Sequence, residues 1–284
     1  MQQIKKKIRH LKQFILPRTF NEQLLTQLDL LKALVQRDLE ARYKGSILGN
    51  LWPLLHQLAQ LLIYTYVFSI VLQVKLSLKE LPESNVSYGL WLFAGLLPWM
   101  TFTNGLVQAT GSVLRQTNLV KKVLFPLILL PIVPILSTFL ESIFGLLLLI
   151  SFVVITTQTL HPSLLLLPLV WLPQLLLTAG LGYLTAALTV FLRDIPQTVG
   201  VALNIGFYLT PIVYPASAIP KPFSEVVFWI NPLAAIAQVY RDLVLVGSIR
   251  HWWEWTVATV LSSLIFIGGF WVYRRLQSAF ADVL

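Results

Sequence analysis

Apolar residues fill long stretches of this chain, and charged residues gather in short segments between them. Residues 45–74 and 84–114 carry no charge, and residues 123–192 carry one, Glu141, with a proline break at Pro162. A transmembrane helix needs about 20 mostly apolar residues. The pattern therefore predicts an all-α membrane protein with six spans. These spans cover about residues 52–74, 88–112, 127–157, 164–190, 196–214 and 255–273.

A shorter segment before the first predicted span has a different pattern. Its apolar residues recur every three or four positions, which places them on one face of a helix. They are Leu24, Leu28, Leu31, Val35 and Leu39. The pattern predicts an amphipathic helix over residues 22–44 that lies in the membrane interface with its apolar face towards lipid. The alternative, a helix packed on a soluble domain, is less favoured because no segment is polar enough to form one.

Composition supports the membrane interpretation. Of 284 residues 56% are hydrophobic and 12% are charged, and mean hydropathy is +0.74. Soluble domains carry about 25% charged residues. The composition therefore excludes an ordinary soluble enzyme or a nucleic-acid-binding module. The absence of cysteine excludes disulfides and zinc–thiolate sites.

The distribution of positive charge predicts the orientation. If both termini lie in the cytoplasm, 16 of the 21 Lys and Arg residues fall on the cytoplasmic side. Cytoplasmic segments of membrane proteins are enriched in Lys and Arg. We expect residues 1–21 to form a basic cytoplasmic tail and residues 22–284 to form one multi-pass domain in the cytoplasmic (inner) membrane.

No motif for catalysis or metal binding occurs in the chain. The sequence has neither a P-loop nor an H-E-x-x-H motif, and its four histidines are far apart. We therefore predict no catalytic residue, no metal site and no nucleic-acid partner. Glu141 is the one acid within a predicted span, and we expect it to hydrogen-bond to a neighbouring span.

The segment before the last predicted span is interrupted by proline. Apolar stretches at residues 226–230 and 233–245 lie between these breaks. Irregular backbone at membrane depth persists only where protein or a cavity surrounds it. Two short helices that dip into the membrane fit this pattern, and so does an amphipathic loop on the outer surface.

Four motifs along the chain resemble one transporter family. They are RDLEARYKGSILGNLWPLL at 37–55, NLVKKVLFP at 118–126, NPL at 231–233 followed by YRD at 240–242, and FADVL at 280–284. Together, and in this order, they resemble type-2 ABC exporter permeases of the polysaccharide branch. That branch exports O-antigens, capsular polysaccharides and teichoic acids. The resemblance also implies that the two short helices before the last span are re-entrant gate helices.

The resemblance implies that residues at the cytoplasmic side couple the chain to a separate ATPase, which binds Mg-ATP. This chain would then need no cofactor of its own. The implied coupling residues are Arg37, Arg42, Asn118, Lys121, Lys122 and Phe125. Without the resemblance, these residues have another explanation: the loop is cationic because it lies in the cytoplasm, and the cations anchor the chain to lipid headgroups.

A polymer that crosses the membrane needs a path shielded from lipid, and one six-span unit is too small to enclose it. We therefore expect a homodimer, with the path between two copies. The resemblance implies that the first and fifth spans form its walls. Polar and aromatic candidates for the pathway are Gln57, Gln60, Tyr64, Tyr66, Trp91 and Trp99. The alternatives are an interfacial aromatic belt and hydrogen bonds within one subunit.

The expected function is that of a permease subunit that exports a lipid-linked polysaccharide. Its expected partners are an ATPase subunit, a second copy of itself, the polysaccharide and membrane lipid. The alternatives are a type-2 permease for a drug or a small lipid, a membrane enzyme that acts on lipid-linked sugars, and a secondary transporter. The enzyme would need paired acids or a metal site, and the secondary transporter would need several buried charges.

Overall fold

The computed structural model describes residues 20–72, 85–121, 125–221 and 223–284, and all regular structure in these ranges is helical. Most of the predicted basic tail, and Lys122, lie outside them. The helices are α1 Phe20–Tyr43, α2 Trp52–Tyr64, α3 Asn85–Thr110, α4 Ser112–Arg115, α5 Thr117–Val120 and α6 Leu129–Thr157. They continue as α7 Leu167–Phe191, α8 Ile195–Leu209, α9 Phe223–Ile230, α10 Pro232–Arg241, α11 Trp252–Leu276 and α12 Phe280–Val283.

Four helical stretches in the described ranges are long and apolar enough to cross a membrane. They are Tyr88–Thr110, Leu129–Thr157, Pro162–Phe191 and Trp252–Val283, and they coincide with the second, third, fourth and sixth predicted spans. The fifth predicted span contains the shorter apolar helix Ile195–Leu209. The first contains α2 and a π-helical continuation, Thr65–Val71. The all-helical class is confirmed, and the number of spans stays a prediction.

The fifth predicted span is shorter in the structure because proline interrupts it. Thr210 has an extended backbone, with ψ of 132°. The residue before a proline disfavours the α conformation, and Pro211 follows directly. Helix α8 therefore ends at Leu209, five residues before the predicted end of the span.

Helix α1 confirms the predicted N-terminal helix and packs against α6. Its apolar stripe lines an open groove of about 750 Å³ whose other walls are formed by α6 and α7. Within the stripe, Val35 is buried and Leu31 and Leu39 are half-buried. The apolar face of α1 is thus directed towards the long apolar helices, whereas the sequence predicted that it faces lipid.

The two ends of the bundle are built from different parts of the chain. Val113 and Val120 share an apolar cluster with Tyr273 and Phe280, which brings the segment after α3 to the C-terminal residues. We call the end that carries α1, residues 112–121 and residues 274–284 the basic end. At the opposite end, the Ser163 hydroxyl donates to the Leu243 carbonyl at 2.9 Å. We call the end that carries residues 158–163 and 210–251 the far end.

Helices α7 and α11 cross with their backbones in close contact at Gly180 and Gly269. A Cβ atom added to Gly180 would lie 2.6 Å from the backbone nitrogen of Phe266, and one added to Gly269 would overlap the Gly180 carbonyl. Small residues allow such close approach in membrane helices. This crossing joins the last long helix to the middle of the bundle.

We therefore expect Gly269→Ala to force α7 and α11 apart. Overpacking costs about 1–3 kcal/mol, so the midpoint of thermal unfolding in detergent should fall by several degrees. Gly268→Ala is the matched control, because a Cβ there meets nothing within 4 Å. Equal midpoints for the two variants would contradict the observed crossing.

Candidate coupling site and translocation surface

An ion-pair network joins α1 to α6 near the basic end. Arg42 pairs with Glu141 at 2.7 Å and with Asp38, one turn earlier on its own helix, at 2.9 Å. The Tyr43 hydroxyl donates to the second oxygen of Glu141 at 2.9 Å. Burial and this hydrogen bond raise the pKa of Tyr43 to about 12, so its hydroxyl keeps its proton as a donor.

The network corrects one expectation about Glu141. Its hydrogen-bond partners lie on α1, and we had expected them on a neighbouring span. Pairing with Arg42 allows an acid about three turns into α6 to avoid an uncompensated charge. The side chains of Arg42 and Glu141 are 18% and 16% exposed, so Arg42 is directed towards α6. Arg37, five residues before Arg42 on the same helix, is exposed.

The predicted coupling residues that the structure describes lie on α1, on residues 112–121 and at Phe125. Arg37 and Asp38 line a cavity of about 150 Å³ with Gln116, on the link between α4 and α5. Asn118 and Lys121 are exposed on the same segment. Phe125 is half-buried against the apolar cluster of the basic end. The basic end therefore presents exposed polar and cationic side chains on a buried apolar support.

The predicted pathway residues separate into two groups. Gln57 and Gln60 of α2 are half-buried, and the Oε1 atom of each is buried without a hydrogen-bond partner within the described chain. Tyr64 is half-buried beside Phe68, with 6.3 Å between ring centroids, and Tyr66 is 58% exposed. Tyr66, in the π-helical continuation of α2, thus lies on the surface, whereas the amide oxygens of Gln57 and Gln60 and the ring of Tyr64 are directed into the chain.

Trp91 and Trp99 form the second group, and both belong to the core. They are 4% and 8% exposed, so their burial within one chain leaves neither ring on an open surface. Trp99 packs against Phe102 and against Phe207 of α8. Trp91 packs against Tyr88, with ring centroids 5.5 Å apart. The translocation surface proposed below is therefore built without these two tryptophans.

A buried arginine at the far end occupies the space beside Trp91. Arg241 is 2% exposed, and its guanidinium carbon lies 3.6 Å from the centroid of the Trp91 ring. It donates hydrogen bonds to the carbonyls of Trp91, Pro211 and Ile212 at 3.2, 3.0 and 2.7 Å. A Cβ atom at Gly95 would overlap this guanidinium. Arg241 is one of the five Lys and Arg residues that the predicted topology places on the outer side, and the sequence carried no prediction about its burial.

Next to Arg241, Asp242 fixes the start of α11. One carboxylate oxygen of Asp242 accepts the backbone N–H groups of Arg250 and His251 at 2.8 and 3.1 Å. The same oxygen lies 2.8 Å from Nδ1 of His251. The hydrogen bond to Asp242 raises the pKa of His251 above its ordinary value, against the opposing effect of burial. Short helices α9 and α10 precede this contact, as the sequence predicted, and their position in a membrane stays a prediction.

The long apolar helices are those of a multi-pass membrane protein. The profile of the ABC-2 type transporter family matches residues 29–245, and the chain belongs to this family. The chain is similar to two proteins that are each called O-antigen export system permease protein RfbA. The protein from Klebsiella pneumoniae is 27% identical over 259 residues, 90% of this chain and 95% of the relative. The protein from Myxococcus xanthus is 30% identical over 215 residues, 75% of this chain and 79% of the relative.

We expect Glu141→Gln to loosen α1 from α6, because Arg42 loses its carboxylate partner on α6 and keeps only Asp38 of its own helix. Hydrogen bonds between charged groups contribute about 1.5–3 kcal/mol, so protease cleavage of the loop between α1 and α2 in detergent should become several-fold faster. Glu40→Gln is the matched control, since Glu40 is exposed and accepts a bond from Gln36 on the same helix. Equal cleavage of the two variants would show that the pair does not hold α1.

The contact between His251 and Asp242 predicts a pH dependence. The pKa of His251 is raised above 6.5 in the folded chain. Its contribution to stability is therefore complete at acidic pH and is lost as pH rises through the raised pKa. We expect the unfolding midpoint to fall by about 2–4 °C between about pH 6 and pH 8.5.

Replacement of His251 by Gln should remove most of this pH dependence. His56→Gln is the control, because His56 is exposed on α2, and the slope should persist in that variant. An unchanged slope in His251→Gln would assign the effect to other groups.

Proposed function

We propose that this chain is the membrane subunit of an ATP-driven exporter that moves a lipid-linked polysaccharide across the cytoplasmic membrane. Membership of the ABC-2 type family carries the proposal, and two O-antigen export permeases that align over most of the chain support the choice of substrate class. The chain spans the membrane six times with both termini in the cytoplasm. The placement of 16 of 21 cationic residues on one side supports this topology.

The basic end binds a separate ATPase chain that supplies Mg-ATP hydrolysis. Exposed Arg37, Asn118 and Lys121 form the contact surface, together with Lys122. Phe125 anchors this surface to the apolar cluster beneath it. Arg42 acts indirectly and does not contact the ATPase. Its pairing with Glu141 holds α1 in place beside the coupling segment, which begins at residue 112.

Two copies enclose the path of the polymer between them. Exposed Tyr66 of the π-helical continuation, and half-buried Gln57, Gln60 and Tyr64 of α2 beside it, provide hydroxyl and amide N–H groups for a sugar chain, whose own hydroxyls cannot face lipid without a large cost. The exposed side of α8, at Val201, Ile205 and Tyr208, forms the opposing wall. Short helices α9 and α10 act as gates at the outer side, where Arg241 anchors α10 to α3.

The coupling surface is tested by Lys121→Ala, Lys122→Ala and Phe125→Ala combined in one variant. Insertion should be normal, because these changes lie outside the long apolar helices. Surface polysaccharide in a complemented deletion strain should fall by about tenfold, the effect of losing roughly 1.4 kcal/mol of binding to the ATPase. Lys221→Ala, an exposed change at the far end, is the matched control. Normal export by a well-inserted triple variant would contradict the coupling role and would favour the alternative, a positive-inside loop that only anchors the chain to lipid headgroups.

The path between two copies is tested by cross-linking, which needs no removal of native cysteine because the chain has none. Tyr66→Cys should form a dimer with a short bis-maleimide in membranes, since Tyr66 faces the second copy. Leu264→Cys is the control, because Leu264 is equally exposed on α11, at 60% against 58%. If Leu264→Cys forms dimers and Tyr66→Cys does not, the two copies meet at α11, and the proposed interface beside α2 is contradicted.

The substrate class is tested by the fate of the polymer in the deletion strain. Loss of this chain should leave lipid-linked polysaccharide inside the cell, while its synthesis continues. Normal surface polysaccharide together with a new sensitivity to drugs would favour the alternative, a type-2 permease for a drug or small lipid.

A further inference from the structure

Two buried tyrosines hold the start of α6, where the chain leaves the coupling segment. Tyr183 of α7 donates its hydroxyl to the backbone carbonyl of Ile128 at 3.0 Å. Tyr273 of α11 donates its hydroxyl to the carbonyl of Leu127 at 2.7 Å. The two tyrosines are 3% and 0% exposed. Two long helices are thereby bonded to consecutive peptide units at the entry to a third.

Proline explains why one of these carbonyls is available. Pro131 has no N–H group to donate to the Leu127 carbonyl four residues earlier. The N–H of Leu130 reaches this carbonyl in a tighter turn at 3.0 Å. A carbonyl oxygen has two lone pairs, and Tyr273 uses the second. The two bonds together fix the direction in which the chain enters α6.

The same tyrosines lie in the apolar cluster that supports the coupling segment. Their ring centroids are 5.1 Å apart, and the ring of Tyr273 lies 5.4 Å from that of Phe280 in α12. Val113 and Val120 of the coupling segment are buried in this cluster. The segment is therefore held by the packing of Val113 and Val120 in this cluster, and beyond its C-terminal end by the hydroxyl groups of the two tyrosines.

We propose that Tyr183 and Tyr273 are positioning residues for the coupling segment. Their hydroxyls keep the described parts of this segment, residues 112–121 and 125–128, at a fixed distance from the C-terminal residues 274–284, so that a displacement of the exposed surface also moves α7 and α11. Packing of the rings alone allows sliding, whereas a hydrogen bond to a backbone carbonyl fixes one position. The consequence for export rests on the coupling role proposed above, and the geometric part does not.

Spin labels on Asn118→Cys and Ser278→Cys report this distance directly, since both positions are exposed on the two elements concerned. We expect a narrow distance distribution in the otherwise unchanged chain. The Tyr183→Phe, Tyr273→Phe double variant keeps both rings and the bond from Leu130. A net hydrogen bond changes an equilibrium by about two- to tenfold. The population at displaced distances should therefore rise by about this factor or more, and Tyr273→Phe alone should show a smaller rise.

Phe270→Leu is the matched control, because its ring lies 5.3 Å from that of Tyr183 and donates no hydrogen bond. Its distance distribution should stay narrow. The positioning role is overturned if the double variant keeps the narrow distribution, or if Phe270→Leu broadens it equally. Polymer exported per ATP, measured in the same variants with the ATPase bound, should fall in the double variant. Broadened distances with unchanged export per ATP would support the positioning role and contradict the proposed coupling function.

Discussion

Each backbone carbonyl in an apolar interior needs a hydrogen-bond donor, and proline removes donors from this chain at the points where its helices bend or end. Side chains replace the missing donors across long distances in the sequence. Tyr273 donates at 2.7 Å to the Leu127 carbonyl, which lacks its usual donor because of Pro131. Arg241 donates to two carbonyls at the break after α8, those of Pro211 and Ile212, and also to the Trp91 carbonyl of α3. These bonds are directional, so they determine where irregular segments lie as well as stabilising them.

This constraint gives the two ends of the bundle different characters. At the far end, a fully buried guanidinium holds α10 against α3, and the neighbouring Asp242 holds the start of α11. At the basic end, neutral tyrosines perform the corresponding task, and the cations Arg37 and Lys121 are exposed. The proposed function uses this difference. An exposed cationic surface on a rigid support suits docking of a soluble ATPase, whereas a hairpin anchored by one buried arginine suits a gate that moves as a unit.

Local patterns predicted the helices well, and contacts between distant residues were predicted poorly. Charge gaps and apolar periodicity gave α1 and the four long helices within a few residues, because these signals depend on sequence neighbours. The charge count placed Arg241 on the outer side and carried no information about its burial. Its position at the end of the apolar stretch that follows Pro232 was the signal that could have indicated burial, and Gly95 on α3 leaves the space that its guanidinium fills. The partners of Glu141 are 98 and 99 residues away, on α1, and no local spacing reveals them.

The central claim is that the basic end, and no other surface of the chain, receives the ATPase. The most direct measurement places a photo-cross-linking amino acid at Asn118 in living cells that express the partner ATPase, and the same amino acid at Trp253, which is 65% exposed near the far end. Irradiation should attach the ATPase to the chain from Asn118 and not from Trp253. Attachment from Trp253, or from neither position in cells that export polymer normally, would contradict the account.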